Sequence, residues 1–484
     1  MIPAENSVPP ASPPASRPAS PYAAGPQGGE HAGGCEHHHH DGDPARREAT
    51  ERTLRRAAAE LAAIADRVRV ISERTSATLT DPRLAKHATA RPWSAAEAYT
   101  ALLRAVTHPH GLGFAFGGLP ARLGGMVGLE SLGRHVAVTS LRLRIAAVAV
   151  GHPELLTDPG TSRLIDAVTG DRDIATGKIM RAMISERGAS EAMSAVAPIA
   201  MEVLAARALL DENPFNDGAG WAIATGRQPD AEPLFGLATR AITRWDRGEG
   251  AATAVAPPPG LAGHGGVLSF LGNIAALGTD GRVLLQELDN GRYVVHAPGM
   301  GFGRPINDSP QDFVGAGRNA MLGDSPYVRA LAKAIAAFGV PQGAHVALVG
   351  HSEGGAAVMN LAQNPAFCAR YHVTHVVAVG SPIDFKVCAD PATWVASITN
   401  QHDIVPALDG VGTGGCFDLH PDWYVVDYTH PSHRFPHCHS IAVYLADLRD
   451  LLTAERQAID AELAAYQGGV ARGQVYRLHD KEAR

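Results

Sequence analysis

The stretch Ala344-His345-Val346-Ala347-Leu348-Val349-Gly350-His351-Ser352-Glu353-Gly354-Gly355 decides how the rest of the chain is read. An unbroken apolar run ends in Gly-His-Ser-Glu-Gly, and Ala356, Ala357, Met359, Leu361 and Ala362 follow at helical spacing. The pattern predicts a strand, a sharp turn and a helix, which together make a nucleophile elbow. Such a turn forces the serine backbone into a strained conformation. Glycines two positions to either side let strand and helix pass close to each other, and the helix N-terminus directs its unpaired N–H groups toward the serine.

Working outward, further strand-like runs occur at Val373–Val379, Trp394–Ile398 and Trp423–Val426. Upstream, Val283–Leu288 and Tyr293–Ala297 read as two strands joined by a turn at Asp289-Asn290-Gly291. Ser325-Pro326 opens a helix that Gly339 ends. Beyond Val340 short apolar runs alternate with helices, so residues 266–455 predict an α/β domain with a mostly parallel sheet covered on both faces. Residues 456–484 read as a helical and then polar tail that frays.

The Pro257–Pro259 run and the glycines at 260, 263, 265 and 266 mark a boundary. Before it, residues 44–255 predict a mostly α-helical domain. Its first helix opens at Asp43-Pro44 and carries a stripe of Leu54, Leu61, Ile64, Val68 and Ile71. Ser94-Ala95-Ala96-Glu97 reads as a capping box. These apolar faces suit a neighbouring layer, a cover over the α/β domain, or a protein partner. Residues 1–43 are rich in Pro, Ala, Ser and Gly and are expected to be disordered. The His37–His40 run beside Cys35 and Glu36 has nothing folded around it to fix a metal geometry, so it reads as a solvated tract.

A hydrophobic content of 45% supports a sizeable core, and a thinly spread net charge of −7 points away from nucleic acid. Five cysteines without a CxxC pair argue for free thiols, with a Cys388–Cys416 or Cys416–Cys438 bridge left open. A charged segment followed by an apolar one is missing at the N-terminus, so no Sec signal is expected. No uncharged apolar run reaches 18 residues, so no transmembrane segment is expected either. The expected location is cytoplasmic, with non-Sec export open.

A serine hydroxyl needs a base within hydrogen-bond reach and a carboxylate to orient that base. After an elbow these follow in the order acid, then histidine. Asp403 lies just past the strand-like run at Trp394–Ile398, with Asp409 in reserve; Asp384 comes one strand too early. His430, His433, His437 and His439 crowd the loop before the last helix of the domain. His439, where loop meets helix, is the expected base and His437 the reserve. His351 reads as a strut of the elbow. The oxyanion hole needs two backbone N–H groups. Glu353 supplies one, and Met300, in the glycine-rich loop after Tyr293–Ala297, supplies the other. No spacing of His, Cys and carboxylates resembles a zinc motif, so no metal is expected.

Several segments carry a resemblance to a known family. They are Pro298-Gly299, Asn307 to Asn319, Gly350–Gly355, Val373–Val377 with Gly380-Ser381-Pro382, Asp403–Asp409, and His439 with Tyr444. Together they resemble the α/β-hydrolase superfamily, and more narrowly its actinobacterial members with a helical N-terminal region. The likeness covers residues 266–455. The helical half is only loosely similar to the small helical-hairpin substrates of type VII secretion and lacks their Trp-x-Gly turn. The resemblance implies a serine esterase, lipase or related acyl hydrolase that uses Ser352, Asp403 and His439 and no cofactor. The expected substrate is a small-molecule or lipid-like acyl ester or thioester, cleaved through an acyl-enzyme. Two alternatives stay open: an acyltransferase with the same triad, or a helical partner-binding scaffold carrying a passenger hydrolase domain.

Overall fold

The computed structural model describes residues 43–481 apart from 109–110, 114–130, 212, 214, 232, 234–235, 237, 240, 242–243, 245–247, 302–307 and 433. The N-terminal segment with its histidine tract, Asn307 and His433 therefore lie outside the described residues. Pro44–Arg484 form one compact unit.

The fold is α/β. Eight strands make one mixed sheet: β1 (Ala251–Val255), β2 (Arg282–Leu288), β3 (Tyr293–Ala297), β4 (His345–His351), β5 (His372–Val379), β6 (Trp394–Asn400), β7 (Tyr424–Tyr428) and β8 (Val470–His479). Their order is β1-β8-β2-β3-β4-β5-β6-β7. β3 to β7 run parallel, whereas β1, β8, β2 and β3 pair antiparallel.

Side chains alternate across the central strands, as the two-residue strand period requires. Val346 and Leu348 of β4 pack with the helices Pro326–Phe338 and Glu353–Gln363. Ala347 and Val349 pack with the helices Val267–Leu277 and Ile441–Asp450. Both faces are dry, which is why these strands read as unbroken apolar runs. Each fully buried Val or Leu contributes about 1.5–3 kcal/mol.

The structure departs from the sequence reading at four points. The tail does not fray: β8 lies between β1 and β2 and hydrogen-bonds to both. Its buried Val475 and Leu478 share the strand with Arg472 and Arg477, which reach ion partners in Glu287 and Asp308, so the strand reads as polar. β1 belongs to the sheet and not to the helical region. The helix expected to start at Ser94 spans Pro92–Thr107, because proline at its first position opens it earlier. The first helix, Pro44–Leu79, buries Ala58, Ala62, Ala65 and Ser72, whereas Ile64 and Ile71 are exposed. Its small residues let it approach the helix Leu132–Gly151, where Ser140 Oγ donates to the Ala58 carbonyl at 2.7 Å.

The helical region packs on loops that leave the carboxyl end of the sheet. Ile404 joins an apolar cluster with Leu164, Val196, Ile199 and Val203. Ala407 joins one with Leu141, Leu209 and Trp221. Buried Arg144 donates to the Gly414 and Ile223 carbonyls and pairs with Glu202 at 2.7 Å. One apolar run, Ala189–Leu210, is long enough by composition to cross a membrane, and most of it is buried in the fold.

Candidate active site

The elbow forms as its sequence requires. β4 ends at His351, the helix Glu353–Gln363 begins one residue after Ser352, and Ser352 between them has φ 56° and ψ −129°. A non-glycine residue there carries strain of about 1–3 kcal/mol, which the surroundings must offset. The Ser352 N–H donates to the Val379 carbonyl at 2.9 Å and so ties the turn to the end of β5. A Cβ at Gly354 would lie 2.0 Å from the Ala297 carbonyl oxygen, so only glycine lets the helix cross the end of β3.

Asp403 follows β6 and His439 ends a short 3-10 turn, His437–His439. Both are buried, as is Ser352. His439 Nδ1–H donates to Asp403 Oδ2 at 2.6 Å. Its Nε2 faces Ser352 Oγ at 2.8 Å, placed to accept the hydroxyl proton. Asp403 is satisfied as a carboxylate: Oδ2 also accepts the Tyr444 hydroxyl at 2.9 Å, and Oδ1 accepts the Val405 N–H at 3.0 Å. The Tyr444 oxygen accepts the Asn400 N–H at 3.0 Å, so the acid, its strand end and the following helix are locked together. His351 is a strut. Its Nε2–H donates to the His439 carbonyl at 2.9 Å. Burial, with His439 alongside, pulls its pKa down to about 3, so it is a neutral donor.

Glu353 is the first residue of its helix, and its side chain is buried against Asn319, whose Nδ2 donates to Oε1 at 2.8 Å. Half-buried Met300 lies in the loop after β3. A Cβ on the neighbouring Gly299 would lie 2.6 Å from Ser352 Cβ, so that loop passes against the serine. The Tyr327 hydroxyl anchors it by donating to the Pro298 carbonyl at 2.8 Å.

The reserve residues stay outside this group. His437 is exposed, its ring beside His430. Asp409 is buried, but its carboxylate accepts the N–H groups of Asp384 and Val411, and burial pushes its pKa up. No disulfide occurs among the described residues, where Cys368, Cys388, Cys416 and Cys438 are free thiols.

Sequence reasoning missed a buried polar network beside the elbow. Lys386 Nζ donates to the Asn319 carbonyl and to Asn360 Oδ1, both at 2.8 Å, and burial pulls its pKa down to about 8. Asn360 within an otherwise small and apolar helix was the available signal. The helical region reaches the site at Phe435, whose N–H donates to Ser194 Oγ at 2.7 Å and whose ring lies 6.1 Å from His439. Compared with known proteins, the chain matches no family model, no curated protein and no solved structure.

Proposed function

We propose that this chain is a serine hydrolase of the α/β-hydrolase type, cleaving a carboxylic ester or thioester through an acyl-enzyme. The observation that carries the proposal is one imidazole between a strained serine and a buried carboxylate: His439 is 2.8 Å from Ser352 Oγ and 2.6 Å from Asp403 Oδ2.

Asp403 fixes the tautomer with the proton on Nδ1, leaving Nε2 as the base. Ser352 Oγ attacks the acyl carbonyl as Nε2 takes its proton. The oxyanion meets the N–H of Glu353 at the helix start and the N–H of Met300 from the loop after β3. A donor of this kind is worth about 3–4 kcal/mol to the transition state. His439 returns the proton to the leaving alcohol or thiol. A water then gives up its proton to Nε2, attacks the acyl carbon and frees Ser352.

The helical layer packs on the loops carrying Asp403 and His439, which favours reading it as part of the enzyme over a separate partner-binding module. The test is turnover of p-nitrophenyl esters of increasing chain length. Wild type should release a burst of p-nitrophenolate followed by a steady rate, and Ser352→Ala should show neither. Equal steady rates from both proteins would refute the assignment.

A further inference from the structure

A second group of side chains lies outside the Ser352 file and has no part in its chemistry. The helix Leu132–Gly151 ends in a 3-10 turn, Pro153–Leu156, which brings His152 and Glu154 beside His402 at the end of β6. His152 Nδ1 lies 2.9 Å and His402 Nε2 3.2 Å from the same oxygen, Glu154 Oε1. One ligating atom from each of the three residues lies within 4.8 Å of the other two. The rings stand at 86° with centroids 6.1 Å apart, so they converge on the carboxylate without stacking. Both histidines are buried, and Glu154 is half-exposed at a cleft of about 430 Å³ also lined by Glu51, Gln401 and Thr429.

The geometry points to a binding site for one divalent transition-metal ion of the zinc class, held by His152, Glu154 and His402. Around a tetrahedral zinc with bonds of about 2.0–2.1 Å, neighbouring ligand atoms are about 3.3 Å apart. The two spacings to Glu154 Oε1 are within a few tenths of an ångström of that and the third is no more than 4.8 Å, so an ion enters by local shifts of these three side chains. Two neutral imidazoles and one carboxylate form a donor set that suits zinc, whereas magnesium and calcium prefer oxygen alone. The fourth position opens on the cleft, where water completes the shell. Glu51 on the cleft wall is held by Arg55 at 2.8 Å and adds negative charge without being needed as a ligand.

The ion would join the helical layer to the loop that carries the triad acid. His402 precedes Asp403, its N–H donates to Asn400 Oδ1 at 3.0 Å, and its carbonyl accepts Cys438 Sγ at 3.5 Å. The role is therefore positional: the ion sets the loop and touches neither substrate nor Ser352. The inference does not depend on the hydrolase reading, since its ligands are separate from the triad.

The test uses the full chain with His37–His40 changed to serine, so that the tract cannot bind metal, after treatment with a chelator. Zinc is titrated in competition with a chromophoric chelator, and cobalt(II) is followed by its visible d–d absorption. One zinc per chain is expected, with a cobalt band of four-coordinate intensity. Losing a direct ligand in His152→Ala or Glu154→Gln should weaken zinc binding by more than the ~10–100-fold typical of outer-shell changes. Glu154→Gln keeps the side-chain shape and so guards against simple unfolding. Ser352→Ala and His437→Ala should bind zinc as tightly as the parent. Zinc affinity in Glu154→Gln equal to the parent, or no cobalt band in the parent, would overturn the site and leave an ion-free Glu–His hydrogen-bonded clamp.

Discussion

The Nε2–H of His351 donates to the carbonyl of His439 across 2.9 Å, so the residue next to the elbow serine holds the backbone of the residue facing that serine. His351→Phe keeps the ring and removes the donor. A neutral hydrogen bond is worth about 0.5–1.5 kcal/mol, so kcat for an activated ester should fall about 10-fold at most with KM little changed. Steady-state kinetics on a short acyl ester check this; a change confined to KM would contradict it.

Burial also gives the two histidines His351 and His296 an acid liability. Each has its pKa pulled down to about 3 in the folded protein, against about 6.5 unfolded. The unfolded chain therefore takes up these protons first as pH falls. Stability is unaffected above about pH 6.5 and is lost progressively toward pH 3, by up to ~1.4 kcal/mol per pH unit for each group. Urea midpoints between pH 6.5 and 4 should fall less steeply in His296→Gln than in wild type. Parallel slopes would show that His296 is not the source.

The Asp403 carboxylate and one of its hydrogen-bond donors, the Tyr444 hydroxyl, can be tested separately. Asp403→Asn preserves shape but no longer holds the proton on Nδ1, and kcat should drop by about 10⁴. Tyr444→Phe removes one donor, worth about 1.5–3 kcal/mol to a charged acceptor, and should lower kcat about 10–100-fold. Its pH–rate profile should also move, because the carboxylate beside His439 becomes less well satisfied. An unchanged profile together with unchanged kcat would place Tyr444 in packing alone.

Arg144 and Glu202 form a fully buried pair within the helical layer, and Arg144 also donates to the Gly414 carbonyl of the loop packed against it. Arg144→Leu leaves Glu202 uncompensated and should cost about 3–5 kcal/mol by urea unfolding. The double change Arg144→Met with Glu202→Met should recover at least half of that loss. A double variant as unstable as Arg144→Leu would mean that the contacts to the Gly414 and Ile223 carbonyls dominate.

The parts of this fold that are legible in sequence are those set by local spacing. The elbow can be read because strand, turn and helix are contiguous, and β5 and β6 because strands buried on both faces are plain apolar runs. Asp403 and His439 can be chosen because each flanks an element that the apolar pattern defines, Asp403 just past β6 and His439 just before the helix Ile441–Asp450. The rest depends on partners far along the chain. β8 hides behind Arg472 and Arg477, which find their ion partners only once the strand is placed between β1 and β2. The fully buried face of Pro44–Leu79 is small residues, Ala58, Ala62, Ala65 and Ser72, whereas of the large apolar stripe Leu54, Leu61 and Val68 are only partly buried and Ile64 and Ile71 are exposed. His402 lies 250 positions from His152 and 248 from Glu154, so no spacing rule could join it to them. Lys386 is an ordinary lysine until Asn319 and Asn360 surround it.

The most direct test of the central claim is covalent labelling with a fluorophosphonate probe, read by mass spectrometry of the peptide containing Gly350–Gly355. The account predicts one adduct on Ser352 in wild type, none in Ser352→Ala, and strongly slowed labelling in His439→Ala. Equal labelling of wild type and Ser352→Ala, or an unlabelled Ser352 in folded wild-type protein, would contradict it.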